Sequence, residues 1–355
     1  MFRITGLLSL VLILFVACTP EPPELENFDQ TDFSEIMQAS LDDLNIGSLE
    51  KVTGVDRNSF ITLDRTANRL HLINDDGSSE TLRLELPAGT DITSITTDQD
   101  GRFYVLDAYG GNMHILEEGD EQWVKKGEIT FDDYVTEMPR TIDVGRDLIY
   151  IKSFAHGGAE DGQSTGKLYT FDHEGNPVTE EPVEFPIRDL TSDPLRQAGV
   201  PVPVPFSNTT LFAANSEGLA FLGWTESLEL TGYTTDGLQD VQISLGFDPV
   251  PADTEDMEEW LETMDPELQT TIESSMPEYL PVMHNLVISD QNEIWIQVQI
   301  EGSNANTLVF TPEGDPLSYL ELPPDFEIED VRANRVAGIE RDATGEQSLR
   351  IFEVD

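Results

Sequence analysis

The chain has almost no cysteine and little positive charge. One of its 355 residues, Cys18, is a cysteine, so no disulfide can form within the chain. Lysine and arginine together number 19 against 69 aspartates and glutamates, a formal net charge of −50. Such a surface cannot neutralise phosphates, which excludes nucleic acid as a partner. The five histidines are scattered, with no pair at metal-ligand spacing on a helix. There is no Gly-x-Ser-x-Gly elbow, no Walker loop and no dinucleotide fingerprint. Long apolar runs are missing too, apart from Leu7 to Ala17, which is short for a bilayer span.

What is present is repetition. Phe60-Ile-Thr-Leu-Asp64, His71 and Gly77 are echoed by Phe103-Tyr-Val-Leu-Asp107 and His114, the shared positions shifted by 43. A period of that size, rich in short alternating strands, marks a β-propeller blade. Further units start apolar strands at Leu148, Leu219, Ile294 and Val336, which makes six. Turns such as Asn74-Asp-Asp-Gly77 and Thr311-Pro-Glu-Gly314 recur, with glycine supplying the positive φ of a tight hairpin. The last unit is one strand short, and an open ring would expose edges. The reading is therefore an all-β, six-bladed propeller closed by an N-terminal strand, with Ile46 to Val52 as the donor. The alternative, a flat β-solenoid, does not suit repeats this long.

Three stretches exceed the repeat: 155–166, 187–207 with its Val200-Pro-Val-Pro-Val-Pro205 strap, and 248–283. In a four-stranded blade all three belong to loop types that emerge on one face, where binding is expected. The last reads as a helical insert between blades four and five. Met257, Trp260, Leu261 and Met264 form one stripe, and a second helix restarts at Asp265-Pro266. Packing of that hairpin onto the blades is weighed above a lid or docking role. The acidic residues are dispersed rather than collected in one tail, which reads as a halophilic surface before an acidic binding face.

Phe15-Val-Ala-Cys18 after Leu7 to Ala17 resembles a bacterial lipoprotein signal. The resemblance implies cleavage before Cys18, lipidation of Cys18, and residence in the cell envelope, with Thr19 favouring the outer membrane of a Gram-negative bacterium. The division is then a signal peptide at 1–17, a lipidated Cys and acidic tether at 18–43, and the propeller at 44–355. Asp290-Gln-Asn-Glu-Ile-Trp-Ile296, Leu308-Val-Phe-Thr-Pro-Glu-Gly314 and Thr97-Asp-Gln-Asp-Gly101 resemble the six-bladed propeller lipoproteins of environmental bacteria, which are similar to NHL-repeat propellers. These motifs imply a scaffold and name no catalytic residues.

The expected function is a membrane-anchored, monomeric, non-catalytic scaffold that binds an envelope protein, peptide or glycan on its insert-bearing face. The alternative is a metal-dependent hydrolase or lyase working in the central funnel. For that alternative Asp64 and Asp107, ending the strands read as innermost, are the metal candidates, with calcium the ion left open. Turn capping is the plainer role for both, and packing is the plainer role for His71 and His114.

Overall fold

The computed structural model describes residues 25–355 except 99, 120–121, 132, 146, 155–163, 180, 188–206, 215–217, 235–238, 248, 253–268, 270–276 and 343. Cys18 and the signal segment, the 200–205 strap and the helical stripe lie outside the described residues. Of the insert, Gln269 is helical among the described residues, which does not carry the two-helix reading; elsewhere they hold a 3-10 turn at Leu25–Asn27 and an α turn at Leu41–Leu44.

Six antiparallel sheets form the blades of a β-propeller. Their innermost strands are Leu49–Gly54, Ile92–Thr97, Met138–Val144, Thr210–Ala214, Met283–Ile288 and Phe326–Arg332. Each lies against the next in this order, and the last lies against the first, so the ring is closed about an axis. The apolar strands beginning near Phe60, Phe103, Leu148, Leu219, Ile294 and Val336, expected to be innermost, are instead the second strand of each blade. They are the most apolar because neighbouring blades cover both of their faces. Ser59–Asp64, Phe103–Asp107 and Ile294–Val298 are buried at every position.

The expected donor strand needs correction as well. Residues 49–52 of that segment belong to the innermost strand of blade one. The outer strand of blade six is Phe33–Ser40, antiparallel to Gln347–Val354. Just before it, Asp29–Gln30 adds in parallel to Pro316–Leu320 of blade five. Residues 29–40, assigned to the tether by composition, thus carry strands. Their sparse apolar residues are well placed. Met37 and Ala39 pack with Ala337, Ile339, Leu349 and Ile351, while Phe28 meets Phe310 and Phe33 meets Phe352 edge-on, both at 5.3 Å.

The chain then turns sharply into blade one. Ser40 caps Leu41–Leu44 in a capping box with Asp43, and Asn45 closes the turn at φ 56°. Burial of Phe28 and Met37 contributes about 1.5–3 kcal/mol each, against a total domain stability of ~5–15 kcal/mol. A chain beginning at residue 44 is therefore expected to melt roughly 10 °C below one beginning at residue 25. Calorimetry of the two would show it; equal midpoints would make the outer strand dispensable.

Candidate functional site

Each innermost strand has one edge that borders the axis and pairs with no other strand of its sheet. The first pairing in five of the six blades shifts register by one residue, at Glu50, Thr93, Arg140, His284 and Glu329. Bulges of this kind bend a strand and re-aim its side chains. Around the axis they border a cavity of about 240 Å³ to which all six innermost strands contribute.

Its ionisable lining is Lys51, Asp143, Lys152, Glu329 and Asp330. Four come from innermost strands, and Lys152 comes from Ile149–Phe154, the second strand of blade three. Strand direction orders them along the axis. Lys152, Lys51 and Glu329 sit toward the face that carries the long connections, with Asp330 and Asp143 deeper. At the far end Arg332 donates to Thr97, whose hydroxyl lies 3.1 Å from that of Thr53 and bonds the Gly54 carbonyl.

Most of these groups tie one blade to the next. The Gly54 amide donates to Asp330 between blades one and six. Asp143 accepts the Ala214 amide at 2.8 Å between blades three and four, and its own neighbour's amide, Val144, at 2.9 Å. The Ile328 amide donates to Gln297 at 2.7 Å between blades five and six. Such bonds serve backbone donors at a strand edge that no ladder reaches.

The electrostatics are uneven. Lys51 Nζ lies 2.9 Å from Glu329. Withdrawal from bulk water opposes its charge, but Glu329, with Asp330 and Asp143 beyond it, outweighs that and holds the ammonium above the usual lysine range. Burial raises Glu329 and Asp143, the first in spite of Lys51 and the second in spite of its two amide donors. Among the described residues Lys152 has no acid to balance it. Its ammonium donates to the Thr210 carbonyl at 2.7 Å and stands 5.1 Å from the Phe154 ring and 5.9 Å from that of Phe185. Burial alone brings it down to about 8. An amine that titrates near neutrality among carboxyls shifted upward is the kind of arrangement that proton transfer requires.

The sequence candidates lie elsewhere. Asp64 and Asp107 end second strands, away from the ring. Asp64 accepts the amides of Gly47 at 3.0 Å and of Ser48 and Ala67 at 3.2 Å. Burial works against its charge, but these donors hold the carboxyl below its ordinary value. Asp107 accepts the Gly110 amide at 2.9 Å. A Cβ on Gly110 would stand 2.4 Å from that carboxylate, so the turn requires glycine there. Both are turn caps. Among the described residues no three His, Cys, Asp or Glu side chains gather as a metal ligand set. Lys51 engages Glu329, and backbone amides engage Asp330 and Asp143.

Lys51, Asp143, Glu329 and Asp330 were not singled out from the sequence. A signal existed: a charge inside a short apolar strand, as in Ile142-Asp143-Val144 and Ile328-Glu329-Asp330-Val331. Reading the blades one strand out of phase hid it.

No protein-family model matches the chain, and no curated protein matches it closely. Solved structures match over almost its whole length. One, described as a "putative exported protein" from Bacteroides fragilis, has a TM-score of 0.53 at 9% identity, covering 92% of this chain and 95% of that one. A "putative gluconolactonase" reaches 0.48 at 13% identity, covering 94% and 96%. A streptogramin B lyase reaches 0.44 at 10% identity, covering 92% and 98%. At these identities the likeness shows the fold alone. Among the described residues no helix is long and apolar enough to cross a membrane.

His71 and His114 occupy equivalent buried places in blades one and two, 4.0 Å from Asp64 and 3.1 Å from Glu128 respectively. Burial lowers both pKa values despite these acids. A depressed folded-state value means that the unfolded chain takes up protons first as the pH falls. Stability should therefore be complete above about pH 6.5 and decline below it as the unfolded histidines protonate. Denaturant unfolding between pH 5 and 7 should show that slope, with His71→Gln plus His114→Gln flattening it. An unchanged slope in the double variant would refute the assignment.

Proposed function

We propose that the axial funnel is a small-molecule site that carries out acid–base chemistry of the hydrolase or lyase class. The observation that carries this reading is Lys152, without an acid partner among the described residues, in a sheltered cavity with Asp143 and Glu329. In this reading Lys152 binds a carbonyl or carboxylate oxygen of the substrate, or exchanges a proton with it, while Glu329 or Asp143 supplies the complementary group. The cavity of about 240 Å³ limits what enters to small polar molecules or the end of a larger one. Lys51 keeps Glu329 oriented, and the Arg332–Thr97–Thr53 bonds close the far end, so entry is from the face that bears the long connections. Metal dependence is not part of the reading.

A second reading, recognition of an envelope protein, peptide or glycan on that face, is favoured by a separate observation. A groove of about 820 Å³ opens there, lined by His284, Gln299, Asn304, Asn306, Leu322 and Asp325 among others. An extracytoplasmic location agrees with the exported fold neighbour. Lipid anchoring through Cys18 in an outer membrane, a monomeric state and salt-adapted acidity stay with the sequence features that suggested them.

Two measurements test the funnel. Selective ¹³C-methyl labelling of lysines should show Lys152 titrating near 8. Turnover of small esters and lactones, beginning with p-nitrophenyl acetate and δ-valerolactone, should fall by about two orders of magnitude in Lys152→Met, with the melting temperature retained. An ordinary lysine titration, or activity indifferent to Lys152, would remove the catalytic reading and leave the groove in front.

A further inference from the structure

Between blades two and three lies a cleft that the funnel chemistry does not use. Its volume is about 400 Å³, and its walls are formed by Tyr134, Tyr169, Phe171, Pro177 and Pro182. Tyr134, on the connection from blade two to blade three, is 47% exposed. It meets Phe171 edge-on at 6.1 Å, and Phe171 stacks with Tyr169 at 6.5 Å and 22°. An open tyrosine ring held by a buried aromatic pair costs little further entropy on binding.

The polar groups at the same cleft are prearranged. Glu137 accepts the Tyr169 hydroxyl at 2.5 Å and the Lys167 ammonium at 2.6 Å. Burial would raise this carboxyl, but these two donors and the Thr136 hydroxyl hold it below its ordinary value, so the network stays ionised at neutral pH. With one proton committed to Glu137, Lys167 retains others for a ligand. The Tyr169 oxygen has donated its proton and also receives the Thr136 hydroxyl, which leaves it one lone pair with which to accept. Thr170 and Thr179 add hydroxyls of either polarity along the lining.

We infer that this cleft binds a neutral saccharide ring. An apolar C–H face would lie on Tyr134, one ring hydroxyl would accept from Lys167, and its neighbour would donate to the Tyr169 oxygen. The class follows from three features together. An aromatic platform beside a fixed donor and a fixed acceptor matches a vicinal diol. The volume suits one or two sugar rings. The net charge of −50 repels anionic ligands, and the single cation of the cleft is already paired. The inference does not rest on the funnel reading, since the residues involved are different.

Saturation-transfer NMR on the whole protein tests it. The probes are the methyl glycosides of glucose, galactose and mannose, N-acetylglucosamine, cellobiose and maltose. At least one is expected to receive transfer on its ring C–H protons. Tyr134→Ala should weaken that binding by about tenfold or more, Lys167→Met should weaken it separately, and Lys152→Met should leave it unchanged. Circular dichroism confirms that each variant is folded. No transfer to any probe, or transfer that survives Tyr134→Ala in a folded protein, would overturn the proposal. Loss of sugar binding with intact Lys152-dependent turnover, or the reverse, separates this cleft from the funnel.

Discussion

The constraint on which the molecule depends is the unpaired edge of each innermost strand. A propeller brings six such edges to one axis, and each carries backbone groups that no ladder can reach. Leaving a buried donor unserved costs about 1–3 kcal/mol, so polar side chains have to stand where a core would otherwise be apolar. Asp330 on Gly54, Asp143 on Ala214 and Gln297 on Ile328 meet that requirement. They also tie blade to blade. The polar axis is thus a consequence of closing the ring before it is anything to do with a ligand.

Function begins where that account leaves a remainder. The carboxylates of the funnel have amide partners or Lys51, and their presence is explained by closure and pairing. Lys152 is different. It reaches the axis from a second strand, has a carbonyl and two aromatic rings for neighbours, and no acid among the described residues to balance it. A purely structural requirement at that place would be met as well by a neutral donor. The cost of burying an unbalanced ammonium is the physical argument that the cavity is prepared for something that enters it.

The sequence made the architecture legible and the site illegible for one shared reason. Blade number could be counted because second strands such as Phe103–Asp107 are covered on both faces, and their apolar runs repeat at a fixed period. The same prominence drew the eye one strand outward from the axis, to Asp64 and Asp107, which prove to be caps on turns. Lys51, Asp143 and Glu329 lie in strands whose apolar pattern is broken by the axial edge, and so carry little periodic signal. The outer strand of blade six was hidden in a different way. Phe33–Ser40 has few apolar residues and follows an acidic, proline-rich stretch, and its partner lies at the other end of the chain, where no local pattern could indicate it.

The central claim is that the funnel holds two lysines in opposite electrostatic states. Reductive methylation with formaldehyde and cyanoborohydride at pH 7.5, followed by peptide mass spectrometry, compares them directly, because the neutral amine is the reacting form. The account predicts that Lys152 is modified well before Lys51, although both face one cavity. Equal rates, or modification of Lys51 first, would contradict it.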